Sequence, residues 1–530
     1  MRFRCILIAS TLVLAVGPLT GADRRVDHGK FPALKGPFKD GPSVTKACLS
    51  CHDQSAQELM ATSHWTWKGQ DTVVPGSDGK TRRIGKANLI NNFCIGIQSN
   101  EASCTACHIG YGWKDKTFNF NDASRIDCLV CHDTTGEYTR KPIADEPLNW
   151  TALAQAVGPT SVQTCGSCHF AGGGGEGVKH GDLDPSLLDG DKILDLHMAP
   201  DGLAFTCSTC HRGDDVAHHI RGRSASVSVR TGDRLSCATC HGESPHGRAF
   251  IYRTEAERRA GDKLRAGRPP IPAAEANRLN WHARRIACQT CHIPRVAKSM
   301  PTKTWWDWST AGRLRGGKPY KDLDENGDIV YMSEKGDFKW TKDLAPEYRW
   351  YNGTQRRYLL GDVFDPSRLL ALNPPQGSAA EPDAKIWPFK IMRGKQPYDV
   401  VNRILVQPKL SGEKGSGAFW EDFQWDKSVR VGMAYVGMGY SGTLGFAETE
   451  MYWPLGHMAV EGSAALSCRD CHARNGRLAR LPGVYIPGQH RNRWLDFFGW
   501  IAFYAALAGV LLHAGLRWRG RRTSAAGEGK

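Results

Sequence analysis

Two apolar runs stand out from an otherwise mixed pattern of hydrophobic and polar positions. The first, Cys5-Ile-Leu-Ile-Ala-Ser-Thr-Leu-Val-Leu-Ala-Val-Gly17, follows the charged start Met1-Arg-Phe-Arg4 and precedes the small residues Thr20-Gly21-Ala22. That order predicts a secretory signal over residues 1–22, cleaved before Asp23, with an uncleaved anchor as the alternative. Cys5 lies inside the apolar core, which argues against lipidation. The second run, residues 497–516, is long enough for one membrane crossing. Trp494 and Trp500 sit near its start, and Arg517, Arg519, Arg521 and Arg522 follow it. Interfacial aromatics and trailing arginines predict a linker and transmembrane helix over 491–516, a basic cytoplasmic tail over 517–530 and a periplasmic remainder anchored in the inner membrane. A buried core helix would not end in such a polybasic cluster. His513 falls inside the span, where it faces a partner helix or sits near the cytoplasmic interface.

Between the runs no long periodic stretch appears. Residues 23–45 form a polar, Gly/Pro-punctuated lead-in. Residues 296–455 are thick with aromatics, as in Trp305-Trp-Asp-Trp308 and Phe419-Trp-Glu-Asp-Phe-Gln-Trp425, and are expected to fold back over the rest. Asp322-Leu-Asp-Glu-Asn-Gly-Asp328 has the oxygen spacing of part of a calcium loop, but its twelfth position is Ser333 instead of glutamate. A hairpin turn is the stronger expectation there, and calcium the weaker.

What interrupts the pattern is a phrase repeated eight times, Cys-x-x-Cys-His. It occupies Cys48, Cys51 and His52; Cys104, Cys107 and His108; Cys128, Cys131 and His132; Cys165, Cys168 and His169. It continues with Cys207, Cys210 and His211; Cys237, Cys240 and His241; Cys288, Cys291 and His292; and Cys468, Cys471 and His472. Two thiols three positions apart add to the two vinyl groups of one haem, and the next residue offers an imidazole to its iron. A zinc half-site or a disulfide does not require histidine at the very next position. Sixteen of the eighteen cysteines are used this way, which implies eight covalently bound c-type haems and an exported, haem-organised chain.

Haem changes the packing expectation. Each porphyrin plate supplies apolar area that side chains would otherwise provide, so a chain with 41% hydrophobic residues, 58 glycines and 28 prolines can still close. The expected fold is mainly α with long irregular loops, short helices moulded around a packed haem array, and little regular sheet. Residues 23–295 hold seven motifs, and 296–490 form an aromatic-rich wrap plus the eighth. The net charge of +15 is spread along the chain, which suits haem propionates and small anionic substrates better than nucleic acid.

The remaining histidines are His28, His64, His180, His197, His218, His219, His246, His282, His457, His490 and His513. An electron-transfer haem has two strong axial ligands, whereas a catalytic one needs a position that is open or can open. His513 belongs to the membrane span and His490 to its linker. His218 and His219 are neighbours that cannot both face the core, so the supply is about as large as the demand.

Several stretches go beyond the haem phrase. Asn91-Asn-Phe-Cys94-Ile, Cys104-Thr-Ala-Cys-His-Ile-Gly-Tyr-Gly-Trp113, Ile126-Asp-Cys-Leu-Val-Cys-His-Asp-Thr-Thr135, Gly172-Gly-Gly-Gly-Glu-Gly-Val-Lys-His-Gly-Asp-Leu183 and Ala447-Glu-Thr-Glu-Met-Tyr-Trp-Pro454 resemble the octahaem tetrathionate reductase family, over residues 28–488. The resemblance implies one haem with lysine in place of a distal histidine: Lys179, facing the haem held by Cys104 and Cys107 with His108 proximal. A deprotonated amine binds iron and a protonated one releases it. The same resemblance puts Cys94 near the substrate pocket, where a thiol could exchange with the central sulfurs of tetrathionate; a buried free cysteine is the ordinary alternative. Asp182 is read as orienting Lys179 or delivering protons, or as a helix cap. Seven distal histidines are then required, and the set chosen is His64, His180, His197, His219, His246, His282 and His457, with His28 and His218 in reserve. The implied activity is reduction of tetrathionate to thiosulfate; reduction of nitrite or hydroxylamine, or non-catalytic electron conduction, are the competing readings. The membrane span points to a quinol-linked or membrane cytochrome b donor.

Overall fold

The computed structural model describes residues 26–69, 71–73, 81–138, 148–211, 236–247, 271–485 and 492–527. The expected signal segment, His218, His219 and His490 lie outside the described residues.

The motif-bearing half is built of short helices, as expected. Cys-x-x-Cys-His coils into a single turn in most copies, including Cys207–Cys210, Cys288–His292 and Cys468–His472. A helical turn puts positions i, i+3 and i+4 on one face, so both thiols and the imidazole point the same way. Capping boxes start several of these turns. Ser161 exchanges side-chain and backbone hydrogen bonds with Thr164 ahead of Cys165, and Ser467 does the same with Asp470 across Cys468. Helix α1 (Gly41–Leu49) opens on Asp40 in the same manner and carries Cys48 at its end. Helix α2 (Val162–His169) carries the fourth motif, and α3 (Ala273–His282) ends on His282. A small hairpin, β1 (Asp71–Val73) with β2 (Thr81–Arg83), projects between the first two motifs.

The expectation of little regular sheet is wrong for residues 302–454. Nine strands join there in one mixed sheet: β3 (Thr302–Asp307), β4 (Lys321–Leu323), β5 (Ile329–Met332), β6 (Gly336–Thr341), β7 (Glu347–Tyr351), β8 (Leu370–Ala371), β9 (Lys385–Asp399), β10 (Ile404–Leu405) and β11 (Leu444–Pro454). The main path runs β4-β5-β6-β3-β9-β11-β8, with β7 and β10 pairing on the two ends of β9. The β3–β9 and β11–β8 pairs are parallel and the others antiparallel. The strands escape a sequence reading because they are covered on both faces, which removes period-two alternation. Pro388, Gly394 and Pro397 inside β9 also read as breakers. Gly394 is required by contact: a side-chain carbon there would collide with the Trp306 carbonyl across the β3–β9 pair. The calcium reading of residues 322–328 gives way to the hairpin β4–β5, whose turn uses the Asp324 carboxylate to accept from the Asn326 and Asp328 N–H groups. Among the described residues no cluster of three or more His, Cys, Asp or Glu side chains is arranged for a metal ion.

One core cluster ties the two halves. Ile95 and Val178 from the motif half pack among Trp306, Trp308, Phe338, Met392 and Phe419 of the sheet half. Helix α4 (Trp425–Tyr435) precedes β11, and a final helix, α5 (Arg493–Gly527), is exposed at every position of 493–518 except Asp496. Its segment Arg493–Gly520, 28 residues, is long and apolar enough to cross a membrane. The expected basic tail continues this helix to Gly527.

Candidate functional site: a continuous haem-sized cavity

All eight motifs line one cavity of about 4210 Å³, several times the roughly 300–1,000 Å³ of an ordinary ligand pocket. The motif thiols also cluster: Cys48 is hydrogen-bonded to Cys128, Cys165 to Cys207 and Cys237 to Cys288, all as free cysteines. Groups attached to these motifs would be neighbours in pairs.

Five motif histidines face a second imidazole across a gap. The ring centres are 6.1 Å apart for His64 and His169, 6.1 Å for His197 and His241, and 6.2 Å for His211 and His457. They are 6.5 Å apart for His246 and His292, and 6.1 Å for His282 and His472. A metal–nitrogen bond of about 2 Å on each side, plus about 1 Å from each nitrogen to its ring centre, gives about 6 Å. The separations therefore fit two imidazoles on one iron and are too wide for stacked rings in direct contact. Burial holds His64 at about 4 and His169 at about 3 and also lowers His197, His282 and His292, so these rings are neutral with a lone pair free. Outer partners fix their orientation: Nδ1 of His292 donates to the Val460 carbonyl (3.0 Å) and Nδ1 of His132 to the Gly158 carbonyl (2.8 Å).

His108 behaves differently. Its ring is 2% exposed, enclosed by Trp65, Trp113, Phe118 and Phe120. Its Nδ1 accepts from the Gly110 N–H at 3.1 Å, which makes Nε2 the protonated nitrogen that donates to the Trp65 carbonyl at 2.7 Å.

Lys179 stands beside Cys107, whose charge acts on it, with its exposed part toward the cavity. Burial first, then the positive charges of Lys86 and Arg357, outweigh Cys107 and bring the amine to about 8. Its Nζ lies 5.0 Å from the Trp453 ring centre, and His180 packs on the same ring. The glycine tract unites Lys179 with Cys94. A side-chain carbon on Gly173 (φ +84°) would come within 3.2 Å of Lys179 Cβ, and one on Gly174 (φ +94°) within 2.8 Å of Cys94 Sγ. Cys94 Sγ donates weakly to the Gly173 carbonyl at 3.9 Å. Burial pushes its thiol up against the lowering pull of Lys335 and Lys303, so at neutral pH it is a thiol, not a thiolate.

Asp182 does not orient Lys179 through its carboxylate. Its Oδ2 accepts from the Gly456 N–H (2.7 Å) and His457 N–H (2.9 Å) and faces His457 Nδ1 at 3.4 Å; Oδ1 faces His180 Nδ1 at 3.9 Å. Burial would raise its pKa, but His457, His180 and the Gly456 N–H outweigh that and hold it at about 2. It is thus an outer-shell anion shared by two histidines. Asp195 plays a parallel part, accepting from the Met458 N–H and facing His197 Nδ1 at 3.9 Å.

His28 also lines the cavity, together with His180. Sequence reasoning overlooked the buried cations of the sheet half. Lys303, 4% exposed, sits over the rings of Phe338 (3.2 Å), Trp306 (4.2 Å) and Trp340 (4.7 Å), and burial lowers it to about 6. Arg357, 3% exposed, and Lys335 line the cavity. No motif announces them, because each belongs to a strand or loop whose burial is visible only once folded.

The comparisons agree with this geometry. Residues 303–475 match the family model described as bacterial cytochrome c. An uncharacterized protein of Archaeoglobus fulgidus is 23% identical over 287 residues, 43% of this chain and 93% of that protein. The crystal structure of octahaem cytochrome c from Shewanella oneidensis superposes with a TM-score of 0.74 at 39% identity, covering 88% of this chain and 97% of that one. Likeness at that identity over that length, with a cavity shaped for haem between paired imidazoles, places the chain in the octahaem c-type cytochromes, the octahaem tetrathionate reductase family, with covalently bound c-type haems.

Proposed function

We propose that this is a membrane-anchored periplasmic cytochrome with eight haems, seven closed for electron transfer and one open for reduction of tetrathionate. The closed haems would take His52, His132, His169, His211, His241, His292 and His472 from their motifs, with His28, His64, His180, His197, His246, His282 and His457 as the second donors. His28, a reserve in the sequence reading, enters this set because it lines the cavity; His219 lies outside the described residues. The remaining haem would be held by Cys104 and Cys107, with His108 as its proximal donor and Lys179 as the second, releasable one. The observation that supports this is the place of Lys179: its amine stands beside Cys107 and lines the cavity, and burial brings it to about 8.

Haem bound there would supply one-electron steps to a substrate held in the cavity. The protein's own contribution is electrostatic and steric. Lys179 offers an amine that burial brings near neutrality. Lys335 sets a positive field beside Cys94 that suits a dianion. The glycine tract closes the wall so that the backbone, not side chains, borders the substrate. Two electrons then cleave the central sulfur–sulfur bond and release two thiosulfates. Electrons would enter from a quinol-linked or cytochrome b partner at the membrane, reached through α5.

The test is turnover by the full-length protein with reduced viologen as donor. Tetrathionate should be reduced by the unmodified protein and not by Lys179→Met. Activity on nitrite or hydroxylamine in place of tetrathionate would transfer the reading to nitrogen substrates, and no turnover of any would leave an electron conduit.

A further inference from the structure

The four carbonyls around Lys179 are all gripped by the sheet. The Gly177 carbonyl accepts from the Lys303 N–H (2.9 Å) and from Thr302 Oγ1 (2.8 Å), and the His180 carbonyl accepts from the same Thr302 hydroxyl (3.0 Å). The two between, Val178 O and Lys179 O, accept from one side chain, Lys390 Nζ, at 2.8 and 3.2 Å. Lys390 is 0% exposed in the middle of β9, between Phe389 at 0% and Ile391 at 4%. A lysine at a wholly apolar strand position is costly to bury unless its ammonium is hydrogen-bonded, and its bonds go to the two peptide groups that bracket the Lys179 Cα.

We infer that Lys390 is a positioning residue for Lys179: from the sheet it clamps both flanking peptides and so fixes where the Lys179 amine stands in the cavity. This rests on the reading of Lys179 as the axial donor at Cys104 and Cys107. The segment from Gly177 to His180 is not helical, so no intrasegment ladder would hold it. Thr302 secures the two ends of the segment, and Lys390 secures its centre. Outer-shell partners of this kind are worth roughly 10–100-fold in affinity or activity.

The test compares Lys390→Met, Lys303→Met and Lys179→Met in the haem-loaded full-length protein. Each is scored for haem content, for the low-temperature electron paramagnetic resonance signal of the amine-ligated haem, and for viologen-driven tetrathionate turnover. Lys303→Met is the control, since it removes an equally enclosed lysine whose side chain touches neither carbonyl. With full haem content, Lys390→Met should lose or broaden the amine-ligated signal, leave the bis-histidine signals intact and lower turnover roughly 10–100-fold. The inference is overturned if Lys390→Met keeps that signal with turnover near the unmodified value, or if Lys303→Met alters the signal as much. A signal that survives in Lys179→Met would instead remove the ligand assignment on which the positioning role stands.

Discussion

Replacing Asp182 by asparagine should raise the reduction potential of the haem that His457 serves. Asn keeps an oxygen to accept from the Gly456 and His457 N–H groups, so the loop at 456–458 stays in place. What disappears is a negative charge held at 1% exposure, 3.4 Å from His457 Nδ1. With about 4 Å more across the imidazole to the metal, the charge lies about 7 Å from the iron. At an effective dielectric of about 20, one unit charge at that distance is worth about 2 kcal/mol. For a one-electron couple that is roughly 90 mV. Removing the anion destabilises the oxidised, more positive iron, so the shift is upward. The haem served by His180 should move the same way by less, since Asp182 lies 3.9 Å from His180 Nδ1. Spectroelectrochemical titration of the unmodified and Asp182→Asn proteins reads this directly. An unmoved potential for every haem, or a downward shift, would refute the shared outer-shell role.

Three further outcomes follow from the geometry. Lys303 has a folded pKa of about 6 against 10.5 in the unfolded chain, so the unfolded state binds more protons between those values and the penalty of burying Lys303 shrinks as pH rises. Lys303→Met should therefore stabilise the protein at pH 7 and progressively less toward pH 10, seen as a closing gap between guanidinium midpoints; a constant gap would contradict the cause. Gly174→Ala should cost about 1–2 kcal/mol from its positive φ alone, with the contact to Cys94 Sγ in addition; Cys94→Ala should recover part of the loss in a double-mutant cycle of thermal midpoints. Truncation before Arg493 should move the protein from the membrane to the soluble fraction with its haem spectrum unchanged, and retention at the membrane would deny the anchor role of α5.

The haem architecture was legible because its chemistry is written locally. Cys-x-x-Cys-His needs no partner from elsewhere to declare itself, and the apolar run at 497–516 announces its helix by composition. The sheet of residues 302–454 was not legible, since strands covered on both faces lose alternation and Pro388, Gly394 and Pro397 disguise β9. Which spare histidines line the cavity is a tertiary matter: His28, held in reserve in the sequence reading, does so beside the motifs. Lys390 illustrates the limit best. In sequence it is one lysine among many, and only the sheet shows it gripping the peptides on either side of Lys179.

Carbon monoxide binding to the fully reduced, full-length protein tests the central claim most directly, because the gas occupies only iron with a free axial position. Seven closed haems and one open at Cys104 and Cys107 predict one carbon monoxide per chain, tight and spectroscopically uniform. No binding would mean that Lys179 or another donor keeps the eighth haem closed, and two or more per chain would mean that the histidine pairing is wrong.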